Sequence, residues 1–213
     1  MTPTETIVSL DQWLLTWAQF DAVDPAQLPQ VHEQLVQSYS ESHRHYHTLH
    51  HIAECLARLG SVREHTIEFA ELQLAIWFHD SIYDTRRKDN EHQSALWLTT
   101  TAEVAGLSVE RRNRLVELVM ATSHLATPSS PDSQILVDVD LSILGASRPR
   151  FQEYELQVRR EYDWVPEQLF RQSRAKILRQ FLGRPRIFST SHFIDAFEDD
   201  ARSNLQWSLT NLT

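Results

Sequence analysis

An all-α fold, a single helical bundle of about eight or nine helices, is what this sequence predicts, and three observations carry it. Glycine is scarce, with four in 213 residues, too few to punctuate a fold rich in tight hairpins. Apolar residues make up 41% of the chain, enough for a proper core at this length. Long stretches lack turn formers, and within them the apolar residues recur at helical spacing.

The first helix is announced by Ser9-Leu-Asp-Gln12, a capping-box pattern, and carries Leu10, Trp13, Leu14 and Trp17 on one face. After Pro25 to Pro29, the residues Val31, Leu35, Val36 and Tyr39 continue the period. A third helix runs from about the histidine cluster His43-Arg-His-Tyr-His-Thr-Leu-His-His51 to Gly60, its expected C-cap, with Ile52, Cys55, Leu56 and Leu59 as the buried stripe. From Glu64 to Asp80 the chain is apolar on nearly every side, the mark of a central helix. Asp84 to Asn90 reads as a loop, and Glu91–Gly106 and Ser108–His124 read as two helices separated at Gly106. The loop at 126–133 leads into the short apolar segment Ile135–Gly145, and three helices follow, roughly Pro149–Tyr162, Pro166–Leu182 and Ser191–Leu209. No internal repeat or linker divides the chain, so one domain over 1–213 is expected, with a core at about 40–145 and C-terminal helices at 149–210.

The formal charge of −9 disfavours a nucleic acid polymer as partner. One cysteine, Cys55, excludes an internal disulfide and a thiolate zinc cluster and suits a reducing compartment. No apolar run reaches membrane-spanning length and the N-terminus has no signal-like pattern, so a cytoplasmic protein with no membrane partner is expected. Trp13 and Trp17, expected to be exposed on the first helix, offer a surface for a homodimer.

Three stretches hold residues suited to chemistry. In Phe78-His79-Asp80 two polar side chains end an apolar helix, and neighbours about 100° apart can grip one ion only where the chain is already turning, as Ser81-Ile-Tyr-Asp84 suggests. The ordinary alternative is a helix C-cap. Asp138 and Asp140 lie in an apolar run with no Lys or Arg between Arg114 and Arg148, so a metal ion, a distant arginine or backbone donors must compensate them. In the opening cluster His47 and His51 stand four apart on one expected helical face; Thr48 occupies the place where a zincin would carry its glutamate. Two imidazoles and two carboxylates without sulfur suit a divalent ion of intermediate hardness, manganese, iron, cobalt, zinc or magnesium, with open positions for water or substrate.

The order His51, His79-Asp80 and Asp140 resembles the H…HD…D signature of the HD superfamily of metal-dependent phosphohydrolases. The likeness extends over Tyr46–Ile52, Phe78–Asp84, Asp89–Ala95, Asp138–Gly145, Arg159–Tyr162 and Glu198–Asn204, about residues 40 to 205, and is similar to a bacterial group of HD phosphohydrolases without assigned substrates. The resemblance implies His51, His79, Asp80 and Asp140 as ligands of one or two ions, with His47 as the alternative to His51 and Asp138 the alternative to Asp140. In that family the last aspartate opens a helix. The implied reaction is hydrolysis of a small phosphorylated substrate, a nucleotide among the candidates, by metal-activated water. His47, His124 and Asp84 are the candidates for proton transfer, and Arg86, Lys88, Asn90 and Glu91, just after the HD turn, for substrate binding. A regulatory HD module that binds a ligand without turnover is the competing reading; Trp77 and Phe78 are expected in the core.

Overall fold

The computed structural model describes residues 6–21, 23–124 and 128–212. Among the described residues it contains ten α-helices and no strand. These are α1 (Leu10–Trp17), α2 (Leu28–Ser38), α3 (Leu49–Ser61), α4 (Phe69–Phe78), α5 (Asn90–Val104), α6 (Val109–Ala121), α7 (Pro131–Leu141), α8 (Arg148–Glu161), α9 (Glu167–Leu182) and α10 (Ser191–Leu212), with short 3₁₀ turns at Arg63–His65 and Ser142–Gly145.

The helix absent from the sequence expectation is α7. Its apolar run shows no helical period because nearly every side is apolar, and Ile135, Leu136, Val137 and Val139 are all buried. Its start lies inside what reads as a serine- and proline-rich loop. Pro131 is its first residue, and the backbone N–H groups of Ser130 and Ser133 each donate to the other residue's hydroxyl, at 3.1 and 3.2 Å. Residues 125–127, part of that expected loop, lie outside the described residues.

The chain forms two compact units, 1–137 and 138–213, and the boundary falls inside α7. In the first unit α4 is central and packs against α1, α3, α5 and α6. Every residue from Ala70 to Phe78 except Gln73 is buried, Trp77 and Phe78 included, as expected for a helix apolar all round. Ser9 caps α1 by accepting from the Gln12 N–H. The tryptophans of α1 correct the sequence reading. Trp13 and Trp17 are 0% and 1% exposed, so they cannot serve a dimer surface. Trp13 stands edge-on to Trp17 and Trp77, and its indole N–H donates to the Leu28 carbonyl at 2.9 Å, so the bulky ring and its one polar atom are both satisfied inside. Glu71 on α4, 1% exposed, is held by Arg111 and Arg114 and so fastens α6 over α4. Gly106, at φ 89°, takes the left-handed conformation that ends α5 and turns the chain into α6. Gly60 does not cap α3; the helix continues to Ser61 and Val62 is the C-cap.

In the second unit α10 packs on α9 and on the 142–145 turn. Phe193, Ala201 and Leu205 are buried on the expected four-residue stripe, with Phe197 half-buried. Gly145 sits so close to α10 that a Cβ there would lie 2.7 Å from both Cβ and O of Phe197. Buried Asn204 holds the carbonyls of Leu144 and Ala146, and buried Glu198 accepts from the backbone N–H groups of Ile187 and Phe188.

Candidate metal centre

The first unit brings three of the expected ligands together. Thr48 caps α3 by accepting from the His50 N–H, which places His51 in the first helical turn, buried, one turn before Cys55. α4 ends at Phe78, and His79 is its C-cap, donating its backbone N–H to Ala75. The chain then turns, with the Ser81 N–H on the Phe78 carbonyl. At this helix end the side chains of His79 and Asp80 converge: His79 Nε2 lies 2.9 Å from Asp80 Oδ2 and 3.2 Å from His51 Nε2, and His51 Nε2 lies 3.7 Å from Asp80 Oδ2.

The chemistry of these atoms matters more than their number. His79 Nδ1 faces the Ile76 carbonyl at 2.8 Å; a carbonyl only accepts, so Nδ1 carries a proton. In the neutral ring Nε2 is then a lone pair, aimed at a carboxylate oxygen and a second imidazole. Such a cluster needs a proton or a cation among its atoms. An ion with ligand distances of about 2.0–2.2 Å separates adjacent ligand atoms by roughly 3 Å, so the spacing fits a divalent cation. Burial alone would push the Asp80 carboxyl up. When a proton on His79 Nε2 takes the place of the cation, the charge on His79, then that on His47, with the hydrogen bond from His79, overcomes it and holds the group well below the usual carboxylate range.

His47 is not on a helical face with His51, because it precedes the Thr48 cap. Its ring nevertheless stays close, stacked on Tyr83 at 4.1 Å and 5.9 Å from that of His51. Of the other clustered histidines, His43 meets the Tyr83 carbonyl and His50 meets Glu54.

The remaining expected site residues divide. Asp84 Oδ1 accepts from the Arg86 N–H at 2.8 Å, and Asp84 and Asn90 exchange two hydrogen bonds that close the loop, so both side chains have a structural task. Arg86 and Lys88 are exposed in that loop, Arg87 is paired with Asp89, and Glu91 lies half-buried in the first turn of α5. His124 follows the end of α6 in the left-handed conformation, φ 55°.

Asp138 and Asp140 belong to the second unit and have different surroundings. Asp138, 0% exposed, accepts from the backbone N–H groups of Ser189 and Thr190, each at 2.8 Å, and from the Thr190 hydroxyl at 2.7 Å. The two N–H groups precede α10, so this carboxylate compensates its burial with donors at a helix N-terminus. Asp140 is half-buried in the last turn of α7; it does not open a helix, contrary to the family-based expectation.

Sequence reasoning missed Arg44, Tyr83 and Ser94. Ser94, fully buried, grips the turn after Asp80 by accepting from the Ile82 N–H at 3.0 Å. Arg44 is buried against the same turn. An arginine inside a histidine-rich stretch shows no periodicity, so nothing in the sequence marked it. No protein-family model, no curated protein and no solved structure matches the chain. Among the described residues, no helix is long and apolar enough to cross a membrane.

Proposed function

We propose that the protein is a metal-dependent phosphohydrolase of the HD type, cleaving a phosphomonoester or phosphodiester of a small molecule, a nucleotide among the candidates. The observation that carries the reading is the convergence of His51 Nε2, His79 Nε2 and Asp80 Oδ2 within 3.7 Å of one another, with the Nδ1 of His79 already spent on a carbonyl. The resemblance implies Asp140 as the fourth ligand, and Asp138 is committed to three donors of its own.

A divalent ion, when bound, supplies Lewis acidity toward a phosphoryl oxygen and makes water easier to ionise. The chain's own part is to hold the ligands, move a proton and bind phosphate. His47, whose ring lies 5.9 Å from that of His51, is in its neutral form the first candidate to take the proton of the attacking water, ahead of Asp84 and His124. Arg86 and Lys88, exposed just after the ligand pair, would hold the phosphate, with Asn90 and Glu91 as further substrate contacts. With one cysteine in the chain, the buried Cys55, an internal disulfide is ruled out and a reducing compartment is suited; on that ground we assign the protein to the cytoplasm.

The test is a panel of nucleotides and p-nitrophenyl phosphate offered to the protein with manganese, cobalt or magnesium. The reading expects phosphate release that a chelator abolishes. An intact panel with every metal would sink the enzyme, and ligand binding without turnover would favour the regulatory module.

A further inference from the structure

The guanidinium of Arg44 is fully buried, with a side-chain exposure of 0%, yet it touches no ligand side chain. A guanidinium has five N–H bonds, and each has an acceptor here. Nε donates to Glu41 Oε2 at 3.0 Å; Nη1 donates to the carbonyls of Asp80 at 2.6 Å and His47 at 3.3 Å; Nη2 donates to the Ser81 carbonyl at 3.0 Å and to Ser38 Oγ at 3.1 Å. The ring of Tyr39 lies 5.1 Å from its central carbon and that of Tyr83 5.5 Å. The Ser38 hydroxyl also donates to the Ser81 carbonyl, and the Tyr39 hydroxyl to that of Trp77, so the C-terminal end of α2 grips the end of α4.

The three carbonyl acceptors belong to the two chain segments that carry the ligands. His47 directly precedes the cap of the helix bearing His51, while Asp80 and Ser81 form the turn after His79. One planar fork therefore ties both segments by their backbones.

We propose that Arg44 is the positioning residue of the metal centre: it fixes the separation of His51 from the His79–Asp80 pair through the carbonyls of His47, Asp80 and Ser81. The inference rests on the metal reading of the site. Arginine is required because five donors in a rigid plane reach acceptors in several directions, whereas the lysine ammonium has three donors on a flexible stem. Glu41 balances the buried charge, so the fork adds geometry next to a cation site without adding a net positive charge.

The experiment compares wild type, Arg44→Lys and Ser38→Ala. Thermal unfolding in chelator is recorded first, then Mn²⁺ affinity by calorimetry at a temperature where each apo protein is folded, then the visible spectrum of the Co²⁺-loaded protein. Arg44→Lys is expected to weaken Mn²⁺ binding by about 10- to 100-fold and to change the Co²⁺ bands, an effect larger than its loss of apo stability explains. Ser38→Ala, which keeps the fork but removes one acceptor, is expected to weaken binding a few-fold, and it carries the test alone if Arg44→Lys fails to fold. Wild-type affinity and an unchanged Co²⁺ spectrum in the variants that fold, even with a lowered melting temperature, would overturn the inference and leave the metal reading intact. Absence of Mn²⁺ and Co²⁺ binding by wild type would overturn the metal reading, and this inference with it.

Discussion

His79 and Asp80 are consecutive in the chain, yet their side chains meet, with His79 Nε2 2.9 Å from Asp80 Oδ2. Within a regular helix such neighbours diverge by about 100°; these two meet at the end of α4, where His79 is the C-cap. Replacing His79 by alanine should therefore remove ion binding while leaving the helical core in place. At an ion concentration 100 times the wild-type Kd, linkage gives wild type about 2.7 kcal/mol, roughly 5–11 °C in melting temperature for a chain of this size. The His79→Ala protein should show no such rise in differential scanning calorimetry.

The two aspartates of α7 should separate cleanly. Asp138→Ala leaves three donors before α10 without an acceptor and should cost about 2–4 kcal/mol in urea unfolding, with residual folded protein still binding the ion. Asp140→Asn should do the reverse, unfolding within about 1 kcal/mol of wild type but binding the ion at least tenfold more weakly. The opposite pattern would make Asp138 the ligand.

Ion affinity should fall as the pH drops from 8 to 5, because a histidine binds a metal ion only as the neutral imidazole and its binding therefore competes with protons. Asp80 does not contribute to that slope. Its pKa is depressed in the folded state, so the stability it provides is present above its unfolded value of about 3.9 and is lost only as the pH falls below that. A calorimetric titration series in Mn²⁺ that stayed flat over this interval would argue against histidine ligation.

Two packing predictions check the fold away from the site. Gly145→Ala forces a Cβ against the backbone and Cβ of Phe197 and should cost about 1–3 kcal/mol. Trp13→Ala empties a site in the first unit, removes the donor to Leu28 and should cost about 3–5 kcal/mol. Equilibrium urea unfolding monitored by circular dichroism reads both.

The elements legible in the sequence were those whose apolar residues fall on a stripe or whose ends carry chemical marks: the Ser9 cap, the all-apolar α4, the Gly106 break and the buried face of α10. What hid was what periodicity cannot encode. α7 is apolar on nearly every side, so its helical period disappears, and its cap is made by two serines in an apparent loop. Trp13 faces inward because α2 supplies a carbonyl for its indole and α4 an aromatic edge for its ring, facts of tertiary structure, and Trp17 packs against Trp13 and Phe20. At the proposed site, the order of His51, His79 and Asp80 was readable because a cation centre would constrain residue type, and the structure brings these three side chains together. The placement of His47 before a helix cap was not, and neither was Arg44, whose partners are mostly backbone carbonyls and so leave no residue-type signature.

The most direct test of the account is the metal content of the purified protein, by mass spectrometry, after reconstitution with Mn²⁺ and removal of free ion, for wild type and for His79→Ala side by side. The account predicts at least one divalent ion per wild-type chain and background content in the variant. Background content in both, or equal loading of both, would contradict it.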